Sequence, residues 1–249
     1  MNSDSLIIFF TCIIATLLSS MSGGGANIIN MPIFLALGVP FRLAVTMMLV
    51  NSAFWVLPAS HNYLKDKKIN WSFLLIFSAI GLIGAYLGVI FVTQIEQRTF
   101  EIAFGGIILC LVLFTYFNKG LGLTERQVFS RLRRMIAYPF ALFLGFYETI
   151  FGAGNGIIFT ILTFYTRGFD FIDALGHYYA IAFPWAVFSA YLLIKQGYFD
   201  VRLMAVAVIG SLVGAVIGSR YARYKGNHFI KTLFIIVGGI LGLKLLLGF

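Results

Sequence analysis

Charge is what this chain has least of. Only 11% of its 249 residues are Asp, Glu, Lys or Arg, against about 25% in a soluble globular domain. Hydrophobic residues make up 60% and the mean hydropathy is +0.95, so a soluble domain is excluded. Acidic residues are the scarcer sign, nine against 18 basic ones. In a soluble protein that excess would suggest nucleic acid. Here the basic residues sit in short loops between apolar spans, so no nucleic-acid partner is expected. Histidine is confined to His61, His177 and His228, too scattered for a metal site, and there is neither an HExxH pair nor a Ser-centred elbow. No GxxxxGK[ST] loop occurs, which argues against an intrinsic ATPase. No enzyme activity, metal or cofactor is therefore expected. The two cysteines, Cys12 and Cys110, lie inside apolar stretches and read as buried thiols, not as a disulfide. Met1 to Ser5 carries no Lys or Arg ahead of the first apolar stretch, which speaks against a cleaved signal peptide.

What is present is apolar sequence in ten stretches: 5–21, 26–38, 43–60, 71–93, 99–117, 135–151, 156–166, 174–194, 201–219 and 229–247. Crossing a bilayer takes about 20 apolar residues, because its hydrocarbon core is about 30 Å thick and a helix rises about 1.5 Å per residue. Four stretches look too short, 5–21 with 26–38 and 135–151 with 156–166. They form two glycine-broken pairs in corresponding places of an internal repeat. A shift of 129 aligns Gly23, Gly25, Ile28 and Ile29 with Gly152, Gly154, Ile157 and Ile158. A shift of 130 aligns Gly38, Ala44, Trp55, Lys65, Gly84, Ala85 and Gly88 with Gly168, Ala174, Trp185, Lys195, Gly214, Ala215 and Gly218. The chain is read as a first membrane repeat over 1–117, a basic linker over 118–134 and a second repeat over 135–249.

Each repeat is a short pair followed by three longer spans. The pair contributes an even number of crossings, whether it crosses or dips in and returns, so the repeats must be inverted. Charge tests this independently. With Lys65, Lys67 and Lys68 in the cytoplasm, the linker residues Lys119, Arg126, Arg131, Arg133 and Arg134 fall there too, as do Arg167, Arg220, Arg223, Lys225 and Lys231. That leaves Arg42, Arg98, Lys195, Arg202 and Lys244 outside, the asymmetry of a multi-pass protein of the cytoplasmic membrane. Both termini then lie outside. The expected fold is an all-α bundle of 8–10 membrane segments whose two short hairpins meet near the midplane.

The first hairpin turns on "SGGGAN", residues 22–27, and the second on "GAGNG", residues 152–156. Irregular backbone at membrane depth is tolerated only where protein or a watery cavity satisfies it. Ser22, Gly23, Gly24, Gly25 and Asn27, with Gly152, Gly154, Asn155 and Gly156, are therefore the candidate substrate-binding residues. New helices starting after each turn would aim free N–H groups and positive dipole ends at the same place, and Asn27 and Asn155 add amide donors. The competing reading is a packing turn between close helices.

These residues resemble the TauE/SafE group of sulfite exporters and related small-anion permeases. The resemblance rests on "SGGGANIINMPIFLALGVP" at 22–40, "LAV" at 43–45, "KINW" at 68–71 and "GAYLG" at 84–88. Weaker second copies follow as "GAGNG", "DAL" at 173–175, "YFD" at 198–200 and "GAVIG" at 214–218. The resemblance implies movement of sulfite, sulfoacetate or a similar sulfur-containing or organic acid across the cytoplasmic membrane, without covalent chemistry. Where the family usually has small polar residues after Ala-Val, this chain has Thr46-Met47-Met48 and Gly176-His177-Tyr178.

Five further residues are singled out for coupling or gating. Glu148 lies four residues before Gly152. An anion site does not suit a fixed negative neighbour, so a protonatable Glu148 fits proton coupling, and a structural carboxylate bonded to backbone or a basic side chain is the alternative. His177 could assist with Tyr178 or Tyr179, or be a satisfied packing histidine. Trp55 and Trp185, at equivalent repeat positions, could wall the cavity or pack in the core. Gly84 with Gly88 and Gly214 with Gly218 read as small-xxx-small packing faces. The expected function is secondary transport of a small anion by alternating access, with an anion channel or, further off, an intramembrane enzyme as alternatives. The expected partners are that anion and the lipid bilayer, with homo-oligomerisation compatible.

Overall fold

The computed structural model describes residues 3–92, 94, 97–125, 128, 130–152 and 154–247. Arg126 and Ala153 lie outside the described residues, as do the side chains of Arg98 and Lys244. Every regular element among the described residues is helical: α1 Ser3–Ser22, α2 Ala26–Ala36, α3 Phe41–Leu64, α4 Trp71–Val92, α5 Gln97–Phe117, α6 Arg131–Ile136, α7 Pro139–Ile150, α8 Asn155–Thr166, α9 Phe171–Lys195, α10 Val201–Lys225 and α11 Asn227–Leu247. Five of them, α1, α3, α4, α9 and α10, are long and apolar enough to cross a membrane, which makes this a multi-pass membrane protein.

Two expectations need correction. The stretch from 5 to 21 is not short, because α1 runs for 20 residues. Its polar ends belong to the helix, since Thr16 Oγ1 donates to Cys12 O at 2.6 Å, Ser20 Oγ to Leu17 O at 3.1 Å and Ser22 Oγ to Leu18 O at 2.9 Å. Hydroxyls bonded back to the preceding turn need no partner outside the helix. Cys110 is not buried. It lies on an exposed face of α5, whereas Cys12 is enclosed. Within 118–134 the short helix α6 begins, with the Ser130 hydroxyl accepting from Arg133 N–H.

The helices pack where glycines let backbones meet. α1 lies along α10 and α4 along α7. A Cβ on Gly214 would overlap Ile13 O and come within 2.9 Å of Leu17 N, and one on Gly84 would overlap Leu142 O and come within 2.8 Å of Phe146 N. These backbone contacts recur at the sequence offsets of 129 and 130. Gly218 meets Leu17 O and Ser20 Oγ just as Gly88 meets Phe146 O and Thr149. Without a hydrophobic drive between helices in lipid, such close approach supplies the attraction through dispersion and Cα–H···O contacts. Alanine at Gly84 is expected to lower the Tm of the detergent-purified protein, an overpacking loss of about 1–3 kcal/mol. The same change at Gly106, which has nothing within 4 Å, should leave Tm unchanged or raised.

α3 and α9 run antiparallel at the centre. Ser60 Oγ donates to Gly176 O at 2.8 Å near one end, and Arg42 Nη1 donates to Tyr198 Oη at 2.7 Å at the other. The first end gathers most of the basic loops. Lys67 Nζ lies 2.6 Å from Glu125, 3.2 Å from Asp173 and 3.7 Å from Asp170, Arg223 lies 2.5 Å from Asp66, and Arg167 donates to Tyr138 Oη at 3.1 Å. Burial alone would weaken the charge on Lys67, but hydrogen bonding to Glu125 and the field of Asp170 and Asp173 hold its pKa above that of an ordinary lysine. The "KINW" and "YFD" motifs prove to be helix starts. Asn70 Oδ1 accepts from Phe73 N–H at 3.2 Å, and Asp200 Oδ1 accepts from Arg202 and Leu203 N–H at 3.0 Å.

Candidate functional site

The site is built from two chain reversals. α1 ends at Ser22, and Gly23, Gly24 and Gly25 then run with φ of +85°, +130° and +125°. Residues with a Cβ rarely follow three such steps, and this is the physical reason for the run of glycines. The Gly23 and Gly24 amides both donate to Ser19 O at 3.0 Å, and Ser22 Oγ also donates to Gly24 O at 3.2 Å. Those two amides close the turn, so the donors left for a ligand are those of the helix that follows. α2 starts at Ala26 with Gly25 as its N-cap, and no side chain caps it. α8 starts at Asn155, one residue earlier than the sequence suggests, behind Gly154 at φ +75°, again with no side-chain cap. Each helix therefore presents first-turn N–H groups and the positive end of its dipole.

The two reversals touch. A Cβ on Gly24 would stand 2.8 Å from Gly154 N and 3.6 Å from Asn155 N, and one on Gly156 would overlap Gly23 O. A Cβ on Gly152 would overlap the amide of Asn27, whose Nδ2 reaches across to Phe151 O at 3.3 Å. Asn155 Nδ2 and Tyr178 Oη both donate to Glu148 Oε2. The structure thus brings Gly23, Gly24, Asn27, Gly152, Gly154, Asn155 and Gly156 together with Glu148 and Tyr178, while Ser22 and Gly25 flank the contact within the first turn. The crossing is closed, since Asn155 is 1% exposed and Glu148 4%. Asn155 Oδ1 has no hydrogen-bond partner. Among the described residues Glu148 makes no ion pair, and its hydrogen-bond partners are the side chains of Asn155 and Tyr178.

His177 is not at the crossing. Its Nδ1 bonds Asp173 O at 2.8 Å and its Nε2 accepts from Asn70 N–H at 3.2 Å, so both ring nitrogens are partnered. Trp185 is a core residue, seated against Gly81 with Nε1 donating to Ser78 O at 2.8 Å. Trp55 packs edge-on against Tyr179, with ring centroids 5.1 Å apart. That contact leads to Tyr179, named from the sequence only as a helper of His177, and to Tyr63, which the sequence did not single out. Tyr179 donates to Ser19 O at 3.1 Å and Tyr63 to Ser20 O at 2.7 Å, so both tyrosines brace the last turn of α1 directly behind the glycines. Their one sequence signal is a phenol inside an apolar span, which must find an acceptor when buried.

A bundle of membrane-crossing helices that encloses two half-length ones belongs to the helical membrane-transport class. The chain is a member of the sulfite exporter TauE/SafE family, whose model matches residues 8–245. It is 26% identical to a probable membrane transporter protein of Haemophilus influenzae, over 96% of this chain and 93% of that protein. It is 24% identical to the probable membrane transporter protein YfcA of Escherichia coli K12, covering 96% and 88%. With the probable membrane transporter protein YdhB of Bacillus subtilis it shares 20% identity over 97% and 99%. No solved structure gives a significant match.

Proposed function

We propose that the protein is a secondary transporter that moves a small anion, of the sulfite, sulfoacetate or related organic-acid class, across the cytoplasmic membrane by alternating access around the glycine crossing. The observation that carries this reading is the meeting of two uncapped helix starts, α2 and α8, at one enclosed point with Asn27 and Asn155 beside them. Backbone N–H groups and dipole ends can hold an anion without a buried lysine or arginine. Helices of 11 and 12 residues rise only about 17–18 Å, little more than half the hydrocarbon core. α2 and α8 are therefore the return arms of hairpins, and the antiparallel α3 and α9 together with the offset glycine contacts support inverted repeats. In this reading the Lys67 end faces the cytoplasm, both termini face outside, and Glu148 carries the coupling proton.

A channel is the second reading, and the deep burial of the crossing favours a carrier. Flux of radiolabelled sulfite and sulfoacetate into proteoliposomes separates them. Saturable uptake with counterflow is expected. Uptake that never saturates would identify a channel, and no uptake under either sign of pH gradient would reject anion transport.

A further inference from the structure

We propose that the basic end of the molecule holds an anionic phospholipid, with its headgroup between the ends of α3 and α10 and an acyl chain in the groove beside α4. A cleft of about 500 Å³ is lined there by His61, Asn62, Lys65, Arg220, Arg223 and Tyr224. Arg223 is engaged by Asp66 and by Asn62 O. Among the described residues Lys65 and Arg220 make no hydrogen bond or ion pair, and both are exposed. The cleft thus presents two free cations and no free carboxylate.

A second cavity of about 430 Å³ shares His61 and Lys65 with the first and continues along Leu57, Leu64, Ile69, Trp71 and Leu74. A basic recess that opens into an apolar groove matches the two chemistries of one phospholipid, whereas a free phosphate would use only the first. The depth is also right. Trp71 is 60% exposed and Tyr224 84% exposed on either side of the cleft, and such aromatics mark the headgroup level of a bilayer. Basic pockets at the cytoplasmic ends of membrane helices are suited to anionic headgroups. The two halves differ here. Lys65 has a counterpart in Lys195, but the positions 130 residues away from His61, Asn62, Arg220, Arg223 and Tyr224 hold Tyr191, Leu192, Ile90, Thr93 and Gln94, so the cleft as a whole is not a by-product of the repeat that builds the crossing.

The test is native mass spectrometry and thermal shift on the full chain in detergent, titrated with phosphatidylglycerol, phosphatidylcholine or inorganic phosphate. Phosphatidylglycerol should give a saturable Tm rise and a bound-lipid mass peak, with no response to phosphatidylcholine or phosphate. Lys65→Gln with Arg220→Gln should weaken the phosphatidylglycerol response by at least about tenfold, given roughly 1 kcal/mol per basic residue near an anionic headgroup. Removing two other basic residues at the same end, with Arg131→Gln and Arg133→Gln, should leave it intact. An equal response to phosphatidylcholine, a response to phosphate alone, or undiminished binding in the Lys65 and Arg220 variant each overturns the proposal.

Discussion

Gly24→Val abolishes anion binding and transport while the protein still inserts and purifies as a monodisperse species. Gly24 has φ +130°, a region that costs a β-branched residue on the order of 1–3 kcal/mol. The larger effect is contact, since the new Cβ would lie 2.8 Å from Gly154 N. Backbone cannot swing aside as a flexible side chain can, so the turns must separate, and the first-turn N–H groups of α2 and α8 no longer converge. A shift of about 1 Å in a converged site is enough for a loss of roughly 100-fold. Gly38 also has positive φ, +79°, but open space around it, so Gly38→Ala reports the strain without the collision and should transport. Asn27→Asp is nearly isosteric, but it adds a negative charge and loses the bond to Phe151 O, and it should bind no anion either. The readouts are flux in proteoliposomes and the thermal shift produced by sulfite. Wild-type transport by Gly24→Val would remove the crossing from the mechanism.

Glu148→Gln uncouples transport from the proton gradient and leaves exchange of substrate across the membrane. Glutamine keeps the length of the side chain and an oxygen that can accept from Asn155 and Tyr178, the two groups that hold the Glu148 carboxyl, and it cannot take up or release a proton. Accumulation driven by a pH gradient should fall by at least about tenfold, the equivalent of 1.4 kcal/mol of lost driving force. Counterflow at equal pH should persist. Tyr178→Phe, which removes one donor, should shift the pH at which transport is half-maximal without eliminating it. If Glu148→Gln accumulates substrate as well as the native chain does, the carboxyl is structural.

The helical framework was legible because hydropathy alone marks helices in lipid, and the glycine pairs that seat α1 on α10 and α7 on α4 were legible because a backbone contact demands a missing side chain. The length of α1 was hidden by its serines and threonines. They count as polar in the sequence, but Thr16, Ser20 and Ser22 bond back to their own helix. At the crossing, the sequence pointed to the glycines, the two asparagines and Glu148 but not to their pairing. Glu148 and Tyr178 are 30 residues apart and meet only through the fold. His177 and Tyr178 are neighbours in sequence yet face different surroundings, because consecutive residues on a helix point about 100° apart. Tyr63 left almost no trace and Tyr179 was marked only beside His177, since the α1 carbonyls they hold lie 43 and 160 residues away in sequence.

The seating of α1 against α10 and of α7 against α4 has a further consequence. In the proposed two-repeat reading, the opening helix of each repeat packs on the other repeat, through the glycine faces of α10 and α4. Neither half alone can close its packing surface, so the chain is interlocked, and it should come apart as one cooperative body and not as two separable modules.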